Sequence, residues 1–130
     1  MNDLHIPASI ETPEVRFDFP RHCLALRGVS CPENATGFYA PIRSSLQGYL
    51  EKLATDDQVD VNIGLCYSDG SSARAIRALV GMLDRTAACG PSISIDWLHA
   101  EDDDMILEFG IDLMEEYRSL QFNMVVAKTT

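Results

Sequence analysis

The sequence lacks the features that mark secreted and membrane-spanning proteins. No apolar run approaches the roughly 20 residues that a membrane-spanning helix needs. Residues 1–15 contain no basic start and no apolar core, so they do not resemble a signal peptide. These two absences predict a cytoplasmic protein without a membrane-embedded segment.

Positive charge is also scarce. Only 10 lysines and arginines stand against 20 acidic residues, which gives a formal net charge of −10. Such a chain is repelled by nucleic-acid phosphates and by anionic membrane surfaces, and it attracts basic protein surfaces. We therefore expect neither a nucleic acid nor a membrane as partner, although acidity can also serve solubility alone.

The four cysteines form no C-x-x-C pair. Cys23, Cys31 and Cys66 lie in or beside apolar segments, and Cys89 precedes a Gly-Pro pair. This pattern predicts reduced and mostly buried thiols, with no disulfide and no zinc site.

Recognisable catalytic and metal-binding motifs are missing as well. The three histidines, His5, His22 and His99, are scattered, and no Ser-His-Asp or Cys-His set has a familiar spacing. The acidic run at 101–104 could suggest a divalent cation, but adjacent carboxylates wrap one ion poorly, and they suit the start of a helix. The sequence predicts no cofactor and no bound metal, and it does not favour an enzyme.

What the sequence does contain is an alternation of strand and helix patterns over residues 1–130, without a linker or repeat. Alternating apolar residues over 14–19 and 23–30 predict an antiparallel hairpin. The strands expected at 59–67, 92–97 and 122–127 each follow a helical pattern. This order predicts one α/β domain, with a mixed but mainly parallel sheet, an N-terminal hairpin and three main helices.

The periodicity of the first and third helices predicts which of their residues face the core. In the first, Phe38, Ile42, Leu46, Tyr49 and Leu53 define the inward face, and Pro41 is expected in the first turn. In the third, residues 100–120 hold an inward face of Ile106, Phe109, Leu113 and Tyr117. Trp97 alternates with apolar strand residues, so we expect it in the core or at the sheet edge.

The stretch "CYSDGSSARAIRALVGML", residues 66–83, places three hydroxyls at the start of the second helix. Ser, Asp and Gly are ordinary turn and capping residues, so the turn can be purely structural. A helix N-terminus also favours a phosphate, either bound or covalently attached to a serine. Composition and spacing leave both interpretations open.

Several segments resemble the SiaC-like family of small bacterial regulatory phosphoproteins. They are "TPEVRFD", "GVSCPENATGFYAPIRSSLQGYL" with Cys31 in place of the usual Tyr, "LCYSDGSSARAI" and "IDWLHAEDDDMILEFGIDLMEEY". The Pro-Glu-Asn segment and the acidic third helix are the more specific parts. The likeness extends over nearly the whole chain.

The resemblance implies a STAS-like fold and a non-enzymatic regulator in a phosphorylation-controlled partner-switching system. Its implied partners are a diguanylate cyclase, a dedicated kinase-like protein and a PP2C-type phosphatase, with an output in c-di-GMP signalling and biofilm formation. An anti-sigma-factor antagonist would share this fold, and a small thiol or carboxylate enzyme is a third hypothesis.

The chain departs from the family pattern at the residue that matters most. The family's phosphorylated threonine falls on Gly70, which has no hydroxyl, while Asp69 stands for its Asn and Arg74 for its Lys. We therefore expect phosphorylation, if the switch is retained, on Ser71, with Ser72 second and Ser68 third.

The partner surface is expected where the strands end and the helices begin. Asn34 or Thr36 is expected to cap the first helix, and capping alone can account for the 31–34 segment; the alternative is that Glu33 also points towards the 68–72 turn. The residues expected to contact a partner are Glu33, Asn34, Tyr67, Asp69, Gly70, Ser71, Ser72, Arg74, Asp102, Asp103 and Asp104.

Overall fold

The computed structural model of the chain describes residues 3–127. It is a single six-stranded sheet with three helices, and a 3₁₀ turn at Phe19–Arg21 joins the second and third strands. The strands are β1 Leu4–Ile6, β2 Glu14–Asp18, β3 Cys23–Ser30, β4 Gln58–Ser68, β5 Ser92–His99 and β6 Gln121–Val126; the helices are α1 Ala35–Leu50, α2 Gly70–Ala87 and α3 Asp104–Glu116.

The spatial order of the strands follows the chain from β1 to β6. The first three strands pair antiparallel, and β3 to β6 pair parallel. The predicted mixed sheet, N-terminal hairpin and three helices are confirmed. The short edge strand β1 was not predicted, because its three residues are too few to display an alternation.

All three helices lie on one face of the sheet. Each parallel crossover advances by one strand in the same direction, and right-handed connections then place every helix on the same side. The burial pattern of β4 agrees, because Val59 and Val61 are buried while Asp60 and Cys66 are exposed. The opposite face of the sheet therefore carries no helix of the described residues 3–127.

Trp97 lies in the core, which is one of the two positions predicted for it, the other being the sheet edge. Its side chain is fully buried, and its indole N–H donates to the carbonyl of Ile106 at 2.8 Å. The ring of Phe109 packs edge-on against it, with ring centres 5.2 Å apart. Gly110 lies directly against the indole ring, so the absence of a side chain there lets α3 approach β5 closely.

The predicted face of α1 was wrong by one residue at its start. Tyr39 is buried, whereas Phe38 is only half-buried, and the helix ends before Leu53. Pro41 lies inside the helix rather than in its first turn, because capping by Asn34 starts α1 at Ala35. A proline there removes one backbone hydrogen bond to the exposed Gly37 carbonyl, which water can replace.

The prediction that the cysteines are mostly buried was also wrong. Cys23, Cys66 and Cys89 are exposed, Cys31 is half-buried, and all four are free thiols. Cys23 and Cys66 alternate with the buried Leu24 and Leu65, so they lie on the uncovered face of the sheet. Apolar neighbours along a strand do not bury a residue when only one face is packed.

The contact between Gly110 and Trp97 predicts a sharp stability difference between two glycine substitutions. A methyl group at Gly110 would overlap the indole ring, so Gly110→Ala should destabilise the fold by about 1–3 kcal/mol. The chain has one tryptophan, so urea unfolding followed by its fluorescence reports this site directly.

Gly70→Ala is the matched control, since a Cβ at Gly70 meets nothing within 4 Å. It should leave stability unchanged or raise it by about 0.4–1 kcal/mol. Equal unfolding midpoints for the two variants would contradict the packing described here.

Candidate functional site

Three loops meet at the edge of the sheet where the parallel strands end. Residues 31–36 follow β3, residues 68–74 follow β4, and residues 99–105 follow β5, and each loop leads into a helix. The strands that precede them are hydrogen-bonded neighbours, and the Asp69 N–H donates to the Ser30 carbonyl at 3.0 Å. We call this surface, residues 31–36, 67–74 and 99–105, the C-terminal edge; it includes Tyr67 at the end of β4.

Each of the three helices at this edge begins with an Asn or Asp cap. The side chain of Asn34 accepts from Gly37 N–H at 3.0 Å, and that of Asp103 accepts from Ile106 N–H at 3.1 Å. At α2 the carboxylate of Asp69 accepts from Ser72 N–H at 2.8 Å. Asn34, Asp69 and Asp103 therefore have capping roles, and no serine hydroxyl is needed to cap α2.

The three candidate serines of the 68–72 turn differ in exposure. Ser71 is exposed in the first turn of α2, Ser68 is half-buried with its hydroxyl donating to the Asp69 carbonyl, and Ser72 is fully buried. A kinase reaches an exposed hydroxyl, so Ser71 remains the candidate phosphoacceptor. Ser72 is accessible to a kinase only if the first turn of α2 unfolds. Its burial therefore does not support its place as the second expected phosphoacceptor.

Ser72 belongs instead to a buried chain of hydroxyls. The Ser30 hydroxyl donates to Ser72 Oγ at 2.8 Å, and the Tyr39 and Ser30 hydroxyl oxygens lie 2.6 Å apart. Burial raises the pKa of Tyr39, so its hydroxyl stays neutral. Because Ser30 donates its one hydroxyl proton to Ser72, Tyr39 is the donor to Ser30. These hydrogen bonds connect the end of β3 with both α1 and α2.

This hydroxyl chain was missed in the sequence. Ser30 and Ser72 are 42 positions apart, and Tyr39 falls outside the predicted inward face of α1. The one available signal was the spacing of Tyr39 from Ile42 and Leu46 at steps of three and four, which places all three on one helical face.

The remaining predicted residues lie at the surface of the C-terminal edge. Tyr67 is 54% exposed, and Glu33, Arg74, Asp102 and Asp104 are exposed. Within residues 3–127 Glu33 makes no side-chain hydrogen bond or ion pair, so the structure records no contact from it to the 68–72 turn. These five side chains are available to a partner.

An exposed apolar residue at the same edge was not predicted. Met105, in the first turn of α3, is 81% exposed. Together with Tyr67 it adds apolar surface to an edge that is otherwise acidic. Such a mixture is typical of protein interfaces, where an apolar centre is surrounded by polar residues.

A comparison with protein families identifies this domain. The model of the SiaC family, described as SiaC family regulatory phosphoprotein, matches residues 6–127. The chain belongs to the SiaC family. An uncharacterised protein of Pseudomonas aeruginosa strain UCBPP-PA14 is 27% identical over 120 residues, which cover 91% of this chain and 89% of that protein.

Solved structures of SiaC from Pseudomonas aeruginosa share the fold. One structure of SiaC aligns with a TM-score of 0.88 and 23% identity, covering 98% of this chain and all of that one. Another aligns with a TM-score of 0.87 and 22% identity, covering 96% of this chain and all of that one; it is a complex of the diguanylate cyclase SiaD with its activator SiaC.

The C-terminal edge of this SiaC-family domain offers binding surface rather than an activated nucleophile. In the part of the chain that the structure describes, no histidine or cysteine side chain hydrogen-bonds to Ser68, Ser71 or Ser72. His99 contacts the Ala100 carbonyl through Nδ1 at 3.0 Å. Ser71 is exposed, and neither a histidine nor a cysteine activates its hydroxyl in the described part of the chain.

The hypothesis of a thiol enzyme finds no support in the geometry around Cys23. The Cys23 thiol contacts the Arg21 carbonyl at 3.5 Å, while the neighbouring His22 ring contacts the Tyr49 hydroxyl at 2.5 Å. His22 Nε2 also lies 3.9 Å from Asp57. Both ring nitrogens face other residues, and the group lies at the opposite end of the sheet.

Among residues 3–127 no three His, Cys, Asp or Glu side chains are arranged so as to hold a metal ion. The Asp102–Asp104 run supplies the cap of α3 at Asp103. None of the described helices is long and apolar enough to cross a bilayer.

The buried hydroxyl chain predicts the behaviour of Tyr39→Phe. Loss of the donor to Ser30 should lower the free energy of unfolding by about 1 kcal/mol at neutral pH. Because the folded pKa of Tyr39 is raised above about 10, the unfolded state deprotonates first and stability falls as pH rises past that value. Tyr39→Phe should reduce this alkaline loss by up to about 1.4 kcal/mol per pH unit.

Urea unfolding at a series of pH values measures both effects. Tyr67→Phe, which alters an exposed ring, is the matched control and should reproduce the parent. An alkaline slope that is identical in Tyr39→Phe and the parent would rule out a neutral, buried Tyr39.

Proposed function

We propose that this chain is a non-enzymatic binding protein that activates a diguanylate cyclase and is switched by phosphorylation. The observation that carries the proposal is membership of the SiaC family. The structure of one protein of this name, SiaC of Pseudomonas aeruginosa, has been solved in complex with a diguanylate cyclase. A kinase-like protein and a PP2C-type phosphatase would set the phosphorylation state, and such a system operates in the cytoplasm.

The C-terminal edge is the proposed cyclase-binding surface. It combines the exposed Tyr67 and Met105 with the charged side chains of Glu33, Arg74 and Asp102. The three caps hold the loops in place, so partner binding need not order them. A preformed surface loses less conformational entropy when it binds.

Ser71 is the proposed phosphoacceptor. Its hydroxyl is exposed at the positive end of α2, and Arg74 lies one turn further along the same helix. A phosphate there adds about −1.5 to −2 charges to the surface that meets the partner. In the free protein, solvent and the α2 dipole stabilise this charge, whereas burial in a tightly packed interface destabilises it. One modification can therefore release a partner without unfolding the domain.

Ser71→Asp should separate binding from folding. The added carboxylate lies in the first turn of α2, where the helix dipole stabilises it by about 0.3–1 kcal/mol, so the variant should melt at or slightly above the parent temperature. Facing the cyclase, an unpaired buried charge costs several kcal/mol, so affinity should fall by about tenfold or more. Calorimetric titration of the purified cyclase and a melting curve measure the two properties.

Ser92→Asp is the matched control, since Ser92 is exposed at the opposite end of the sheet. It should bind the cyclase as the parent does. If Ser71→Asp binds with unchanged affinity, the 68–72 turn is a helix start only and the switch is absent from this protein.

Gly70→Thr should create a second phosphoacceptor at the family position. Gly70 does not have the positive φ that Gly28 and Gly90 adopt, and a Cβ there meets no atom within 4 Å. The variant should therefore fold like the parent. After incubation with the cognate kinase, intact mass should show up to two phosphates instead of one, and peptide mapping should place them at 70 and 71.

Gly70→Thr combined with Ser71→Ala is the informative companion. It should accept one phosphate, whereas Ser71→Ala alone should accept none. A phosphate on Ser71→Ala alone would show that the kinase uses a different residue.

A further inference from the structure

The groove between α1 and α2 collects positive charge on a chain that is otherwise acidic. It has a shallow half of ≈ 470 Å³ next to Ser71 and a second half of ≈ 570 Å³ towards the other end of the helices, and Arg43 lines both. Arg74 lines the first half and Arg85 the second. Among residues 3–127, Glu51 is the only carboxylate that lines either half.

These three arginines have no charged partner within residues 3–127. Every other arginine of the described chain has a polar contact: Arg16 with Glu14, Arg21 with Asp18, Arg27 with Asn62, Arg77 with Glu116, and Arg118 with the Glu115 carbonyl. With 20 acidic residues in the sequence, arginines without carboxylate partners are unexpected. Their convergence on one groove gives that groove a charge opposite to that of the whole protein.

The shape of the groove suits a helix. Its walls are two neighbouring helices that run in the same direction, and α1 spans 16 residues, or about 24 Å. Small residues, among them Ala40, Ala75 and Ala78, keep the first half open. Leu50 and Met82 supply an apolar floor in the second half. An apolar floor between charged rims is the form that receives amphipathic helices.

We propose that the α1–α2 groove binds an acidic amphipathic helix of a partner protein, with Arg43, Arg74 and Arg85 pairing its carboxylates. The inference rests on the proposed function only in naming the cyclase as the protein that carries this helix. It adds a second contact surface that meets the C-terminal edge at Ser71 and Arg74. A phosphate on Ser71 then lies in the same groove and competes with the helix for Arg74.

A second copy of this chain is a less suitable occupant. Its acidic helix α3 already packs its apolar face, including Ile106 and Leu113, against its own sheet. Its exposed apolar residues, Met105 and Met114, are nine positions apart and lie on opposite sides of the helix. The exposed surface of α3 therefore has no apolar stripe to match the floor of the groove.

Charge reversal tests the groove in the intact chain. Arg43→Glu and Arg85→Glu should each weaken binding to the purified cyclase by about tenfold, with melting temperatures close to that of the parent. Lys52→Glu is the matched control, because Lys52 is exposed, does not line the groove and changes net charge equally. Equal losses in all three variants would assign the effect to net charge and overturn the proposal.

A designed peptide tests the same chemistry without the cyclase. A helical peptide of about 16 residues, with glutamates flanking a leucine stripe, should bind the parent chain and bind Arg43→Glu about tenfold more weakly. Its counterpart with lysine for glutamate is attracted to the acidic parts of the surface, so its binding should not be weakened by Arg43→Glu. If Arg43→Glu binds the acidic peptide as tightly as the parent does, the inference is overturned whatever the cyclase does.

The two arms distinguish the possible failures. Peptide binding that depends on Arg43, without cyclase binding by the parent, would uphold the groove and overturn the proposed function. Cyclase binding that is lost in Ser71→Asp but unchanged in Arg43→Glu and Arg85→Glu would uphold the function and overturn the groove. A parent chain that sedimentation shows to be dimeric, and that becomes monomeric in Arg43→Glu, would identify a second copy as the occupant instead.

Discussion

Parallel pairing of β3, β4, β5 and β6 in chain order is the constraint on which the rest of the structure depends. Each strand must be joined to the next by a crossover, and every crossover moves one position in the same direction. The right-handed preference of such connections then puts α1, α2 and α3 on one face and all their N-termini at one edge. One face of the sheet stays uncovered, one edge gathers the helix starts, and a groove forms between neighbouring helices.

The start of α2 combines a fixed interior with a free surface. Asp69 caps the helix, and Ser72 is held by Ser30 and Tyr39 beneath it, so the backbone of this turn is determined by buried contacts. Ser71 and Gly70, in contrast, are exposed, and a Cβ at Gly70 would meet no atom within 4 Å. A site that can gain a large charge without unfolding requires this separation, since the residues that keep the turn in place are not the proposed phosphoacceptor.

Charge is distributed unevenly over the molecule, and the pattern explains how an acidic protein can present two different surfaces. The loop before α3 is acidic, and its carboxylates lie near the positive end of that helix, where the dipole stabilises them. The α1–α2 groove carries arginines without carboxylate partners inside the described chain. The two surfaces meet around Arg74, so a change at Ser71 affects both.

The sequence by itself determined the order of strands β2 to β6 and of the three helices, and with it the C-terminal edge. These features follow from local chemistry: alternation marks a strand, a period of three to four marks a helix, and Asn34 and Asp69 precede helical patterns as caps do. The resemblance of the Pro-Glu-Asn segment and the acidic third helix to one family was equally readable, because it depends on residues close together in the chain.

Only the tertiary structure decided which residues of these elements are inside. The rotation of α1 about its axis, set by packing on the sheet, buried Tyr39 rather than Phe38. The phase of α2 buried Ser72 and exposed Ser71, although the two are adjacent and chemically identical. Cys23 and Cys66 are exposed because all helices lie on the other face of the sheet, and the groove arginines meet across two helices. Each outcome depends on contacts between distant segments, and the local patterns in the sequence were compatible with more than one outcome.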